Sequence, residues 1–147
     1  MKIVIVAGAD RTGKSTLCEE FKKAGWEYFH FEKPKGSPFE EYAKFVTEKL
    51  PSMPADSKVI VDRFSYCELA YSKHYGRKSD LDAQKTVWLE NEILRLDPSA
   101  KVVYCSTDLW SNWQRIEDEG KGEFKSMAEL VELRKTYEAA VKWSHLG

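Results

Sequence analysis

The stretch Gly8-Ala9-Asp10-Arg11-Thr12-Gly13-Lys14-Ser15 has the spacing G-x-x-x-x-G-K-[ST] and follows the apolar run Ile3-Val4-Ile5-Val6. No other feature constrains the chain as strongly, because this pattern works only as a phosphate-cradling loop between a buried strand and the helix that comes next. Leu17, Phe21 and Ala24 recur at i, i+4 and i+7, which predicts that helix, and Gly25 predicts its stop. Glycines at both ends let the backbone close round phosphate oxygens, so that successive N–H groups and the helix N-terminus face the anion. Lys14, expected to stand exposed in the loop, supplies a positive charge to β- and γ-phosphates, and Ser15 a hydroxyl for the accompanying magnesium. ATP and Mg are therefore the expected cofactors, held by Gly8, Ala9, Asp10, Arg11, Thr12, Gly13, Lys14, Ser15 and Thr16.

The 147 residues are read as one domain, 1–147, with room for a short lid but not for a second domain. Lys+Arg 23 against Asp+Glu 24 gives a formal net charge of -1, which offers no global basic character to attract nucleic acid or an anionic membrane. Cys18, Cys67 and Cys105 are odd in number and widely spaced, so a disulfide framework or a zinc site is not expected, and reduced thiols in the cytoplasm are. The N-terminal apolar run meets Asp10 and Arg11 too soon for a signal peptide, and no run reaches transmembrane length.

Further along, 26–31 reads as an aromatic second strand and 32–36 as a loop. Ser37, Pro38 and Glu40 mark a helix start, with Phe39, Tyr42, Ala43, Val46 and Leu50 as its apolar face. A third strand, Val59-Ile60-Val61, ends in Asp62-Arg63, and a helix is expected over 65–75. Ser79 with Asp82 opens another helix whose Leu81, Trp88, Leu89, Ile93 and Leu96 face inward. Val102 to Cys105 is a fourth strand, 110–117 a short helix, and Ser126 with Glu129 caps a last helix bearing Met127, Leu130, Val131, Tyr137 and Val141. Strands alternating with helices imply an α/β fold of the P-loop NTPase type: a parallel sheet of about four strands with helices on both faces.

The third strand separates the classes that share a phosphate loop. A motor ATPase usually ends this strand with a carboxylate pair, whereas here Asp62 is followed by Arg63, a planar five-donor fork that suits a second phosphate. The guanine-specifying N-K-x-D of GTPases is absent. Phosphoryl transfer to a phosphorylated acceptor uses all of these residues.

The phosphate loop, with its Asp10 and Arg11, resembles that of thymidylate kinases, and Val61-Asp62-Arg63-Phe64 is similar to their D-R-[YFH] motif. Ala70-Tyr71 and Gly76-Arg77 resemble the helix behind it, Glu32-Lys33-Pro34 the acceptor loop, and the region 113–137 the arginine helix, lid and long helix. The compact, virus-encoded members of this group of deoxynucleoside monophosphate kinases are the nearest match. The resemblance implies that Arg11 meets the transferring phosphoryl group and Asp10 the acceptor's sugar hydroxyl. It further implies that Lys33, Lys35 and Arg63 hold the acceptor phosphate, Tyr71 packs on the sugar, and Arg115 lies at the adenine or the phosphates. Ser15 and Asp62 would hold the metal, and Arg11, Lys14 and Asp62 would carry the catalysis, with 118–123 as the lid. The chain departs from the family between the acceptor loop and the D-R motif, where it is short and has no arginine, and at Leu69, where a polar base contact is usual.

The implied activity is ATP- and Mg-dependent transfer to a deoxynucleoside monophosphate, dTMP first. A deoxynucleoside or 5'-polynucleotide kinase with Glu32 as base is the alternative, and a non-catalytic, nucleotide-gated interaction protein is a third reading. The expected partner is a small-molecule nucleotide, with homodimerisation left open and no call for a membrane.

Overall fold

Buried β-branched residues at alternating positions build the first strand and set the plan of the molecule. In the computed structural model, which describes residues 1–8, 14–32, 36–74, 79–105, 114, 127–142, 144 and 146, β1 runs over Lys2–Ala7. Three more strands, β2 (Glu27–His30), β3 (Lys58–Asp62) and β4 (Lys101–Tyr104), join it in one parallel sheet of order β2-β3-β1-β4. The fourfold α/β sheet expected from the sequence is thus present. Strands pair in register Ile5 with Val61 and Val6 with Asp62, so the ends of β1 and β3 stand side by side.

Side-chain alternation divides the core between two faces. Ile3, Ile5, Ala7, Val59 and Val61 point to the larger one, where they pack with residues of α2 (Pro38–Lys44), α3 (Ser65–His74), α4 (Ala83–Leu96) and α5 (Met127–Lys142). Val6 and Ile60 point the other way and meet Cys18 of α1 (Lys14–Lys23). The sheet is therefore buried on both sides, as parallel sheets require.

Local chemistry sets the element ends. The α1 helix stops where Gly25 takes φ 91, with Gly25 N–H donating to Lys22 O and Trp26 N–H to Phe21 O, while the Trp26 and Phe21 rings meet edge to face at 4.8 Å. Ala24, expected on the apolar face of this helix, lies beyond its end and is exposed; Cys18 is the buried contact instead. Ser37 caps α2, accepting the Glu40 N–H at 3.1 Å with Pro38 in the first turn. Beyond Lys44 the helix widens into a π turn, Phe45–Lys49, and tightens into a 3₁₀ turn, Leu50–Ser52. Phe45 and Val46, at the start of the π turn, are both buried.

Two expectations about α4 need correction. Its N-cap is Asp82, which accepts the Lys85 N–H at 2.8 Å, while Ser79 makes a separate turn by accepting the Leu81 N–H at 3.2 Å. Trp88 does not face inward: it is 39 % exposed and lies against Phe39 at 5.5 Å, because the helix gives its core face to Leu89 and Ile93. At the other end of α4, buried Asp97 accepts the Ile3 N–H of β1 at 2.8 Å and two bonds from Ser99. None of the described helices is long and apolar enough to cross a membrane.

Candidate active site

The adjacent ends of β1 and β3 form the crevice. From β1 the chain crosses by α1 to β2, whereas from β3 it goes by α3 and α4 to β4 on the opposite side, so the two connections leave over opposite faces. Open parallel sheets bind ligands at such a switch point. Gly8 leaves β1 with φ 148, a conformation open to glycine and rarely to other residues, which suits the first glycine of the loop. Ala9, Asp10, Arg11, Thr12 and Gly13 lie outside the described residues.

Lys14 opens α1 and, contrary to the expectation of an exposed loop position, is only 7 % exposed. Its Nζ lies 3.8 Å from Oδ1 of Asp62, the last residue of β3. Neither atom has a hydrogen-bond partner among the described residues although both are buried. A charged pair taken out of water in this way is stable only with further polar partners, so the arrangement favours a polar ligand between loop and strand. Ser15 and Thr16, next along α1, are exposed.

The other oxygen of Asp62 is already engaged. Tyr28 of β2 donates its hydroxyl to Asp62 Oδ2 at 2.8 Å, and burial together with this bond pushes the Tyr28 phenol up, so it remains a proton donor. The Tyr28 bond holds the carboxylate with Oδ1 turned to Lys14. Sequence reading missed Tyr28, treating its segment only as an aromatic strand. Once β2 is known to flank β3, with Tyr28 opposite Ile60 and His30 opposite Asp62, the period of two puts Tyr28 on the face of Asp62. That neighbour relation is not written in the sequence.

Arg63 follows with φ 64, the only non-glycine residue with positive φ among those described. A left-handed arginine costs roughly 1–2 kcal/mol and persists where the surroundings over-determine it, a feature that clusters at ligand sites. Glu32 is exposed two residues after β2, while Lys33 and Lys35 lie outside the described residues. So do Arg115, the segment 118–123, Trp110 and Trp113, and the side chain of Tyr71. The structure thus brings together Gly8, Lys14, Ser15, Asp62 and Arg63 of the expected set and adds Tyr28.

The thiols near this crevice are not poised for chemistry. Burial pushes Cys18 up to about 12, and burial likewise raises Cys105.

No family model matches the sequence. The SPbeta prophage-derived uncharacterized protein YorR of Bacillus subtilis strain 168 is 33% identical over 112 residues, a match covering 74% of this chain and 63% of that protein, under two thirds of its length. The crystal structure of YorR in complex with phosphorylated GDP superposes with a TM-score of 0.80 at 23% identity, covering 99% of this chain and 82% of that one. Deoxyadenosine kinase from M. mycoides with bound dATP gives 0.55 at 23% identity over 97% and 85% of the two chains. Thymidylate kinase from Candida albicans gives 0.51 at 15% identity over 93% and 76%. The chain thus has the α/β P-loop fold that deoxynucleoside and thymidylate kinases share.

Proposed function

We propose that the chain transfers the γ-phosphoryl group of ATP to a deoxynucleoside monophosphate. The observation that carries this reading is the buried Lys14–Asp62 pair at 3.8 Å, both atoms without a hydrogen-bond partner among the described residues, set between the phosphate loop and the end of the strand that Arg63 follows. Lys14 would neutralise the β- and γ-phosphates from the loop side. Arg63 would grip the acceptor phosphate bidentately, with Lys33 and Lys35 beside it. Arg11 would stabilise charge on the migrating group and Asp10 would orient the acceptor's sugar, as in the resembling family. Tyr71, Arg115 and a closing segment at 118–123 would complete the nucleotide contacts and exclude water.

Magnesium fits this site: Ser15 and Asp62 Oδ1 would hold it, and it supplies neutralisation of the charge shared by the β- and γ-phosphates. Among the described residues no three metal-ligating side chains gather, so the phosphates themselves would provide most of its ligands. A monophosphate oxygen is already a competent nucleophile, so the chain's task is in-line positioning rather than proton removal.

The nucleotides named with YorR and deoxyadenosine kinase support a nucleotide substrate in this fold, without choosing its base. The resemblance to thymidylate kinases makes dTMP the first acceptor to try. A hydroxyl acceptor is the second reading: Glu32, exposed just beyond β2, could serve as its base, and the deoxyadenosine kinase likeness favours it. ATP consumption is to be measured with dTMP, dUMP, dGMP, dCMP, thymidine, deoxyadenosine and a 5'-hydroxyl oligonucleotide. Turnover with at least one monophosphate is expected. Turnover with nucleosides or the oligonucleotide alone would transfer the role of base to Glu32 and refute the monophosphate reading.

A further inference from the structure

A buried ammonium and carboxylate gain most by closing to a charge-assisted hydrogen bond of about 2.7–2.9 Å, yet Nζ of Lys14 and Oδ1 of Asp62 stop 3.8 Å apart. A third element restrains the pair. Tyr28 of β2 stands opposite Ile60, two residues before Asp62, and its hydroxyl reaches forward along the sheet to donate to Asp62 Oδ2 at 2.8 Å. The ring itself is anchored. It packs against the cluster of Val6, Cys18 and Ile60, and Lys22 of α1 sets its Nζ 4.8 Å from the ring centroid. A phenol fixed in this way ties down the carboxylate it donates to, so Oδ1 faces Lys14 at a distance set by β2 and β3 rather than by the attraction of the two charges.

We propose that Tyr28 is a positioning residue for nucleotide binding: by holding Asp62 back from Lys14, it keeps the Lys14 ammonium available to the β- and γ-phosphates. This rests on the reading of Lys14 as the phosphate ligand. Without the hydroxyl the carboxylate is free to close on Lys14, and an arriving polyphosphate then has to break that contact first. Affinity falls by the fraction of chains in which Lys14 is still open. The effect runs through the charge of Asp62, which separates it from a packing role for the Tyr28 ring.

The test is calorimetric titration of the full chain with ATP in EDTA, for the parent, Tyr28→Phe, Asp62→Asn and the double variant, with folding checked by circular dichroism. Tyr28→Phe keeps the ring and removes only the hydroxyl, and it is expected to weaken ATP binding at least fivefold. In the Asp62→Asn background the same substitution should change the affinity less than twofold, because a neutral carboxamide does not capture Lys14. An unchanged affinity in Tyr28→Phe, or a loss of equal size in both backgrounds, would overturn the positioning role while the transfer reading stands. A parent chain that binds no ATP in EDTA would overturn it as well, and failure to bind with magnesium restored would overturn both.

Discussion

Arg63 shows most clearly what a single residue reveals here. Its positive φ puts an arginine directly after β3, where a glycine would sit with less strain, and its N–H donates to Val6 O of β1 at 3.3 Å. Two substitutions separate backbone from side chain. Arg63→Gly should be more stable than Arg63→Ala by roughly 1–2 kcal/mol, because only alanine keeps the left-handed penalty. Both should lose most acceptor-dependent turnover, since neither can hold a phosphate. Urea unfolding and an ATP-consumption assay read the two effects, and equal stabilities would show that the backbone is unstrained at this site. The identity of Arg63 was legible in the D-R pair; its conformation was not, because φ is imposed by the turn from β3 into α3. The loop pattern points to Lys14 as a phosphate ligand, but its burial against Asp62 depends on β1 and β3 lying side by side.

At the scale of elements, punctuation residues were read best. Gly25 and Ser37 end and begin helices where expected, since capping is local chemistry that one segment encodes by itself. Gly25 offers a direct check: at φ 91 a side chain is strained, yet a Cβ there would meet nothing within 4 Å. Gly25→Ala should therefore destabilise by roughly 1–2 kcal/mol through backbone conformation alone, with no clash to relieve. Circular-dichroism melting would measure it, and a neutral substitution would contradict the α1 cap described above. What the segments did not encode was how they meet. The π turn after α2, the outward Trp88 and the Tyr28–Asp62 bond all come from packing between elements, which a period of 3.6 or 2 in one segment does not record.

For the whole molecule, the parallel order β2-β3-β1-β4 ties the crevice end of the sheet to its opposite end through β1. Asp97 closes that opposite end. Burial opposes its ionisation, but donation from the Ile3 and Ser99 N–H groups and the Ser99 hydroxyl outweighs this and lowers its pKa from 3.8. A depressed carboxyl stabilises the fold above its unfolded value, and that contribution is lost as pH falls through the folded one. The parent should accordingly lose stability relative to Asp97→Asn as pH drops below about 4. Urea midpoints of the two proteins at pH 7, 5 and 3 test this, and a constant difference would remove Asp97 from the acid response.

The crevice between β1 and β3, where Lys14 faces Asp62, is the proposed place of phosphoryl transfer. Because Lys14 is buried, methionine is the substitution of choice: it keeps the apolar stem and removes only the charge. The decisive measurement is the rate of ADP formation from Mg-ATP with the best monophosphate acceptor, for the parent and for Lys14→Met, with folding of both checked by circular dichroism. A loss of about a hundredfold or more is expected, comparable to removing a preorganised electrostatic donor from a transition state. A folded Lys14→Met chain that turns over within tenfold of the parent would contradict it.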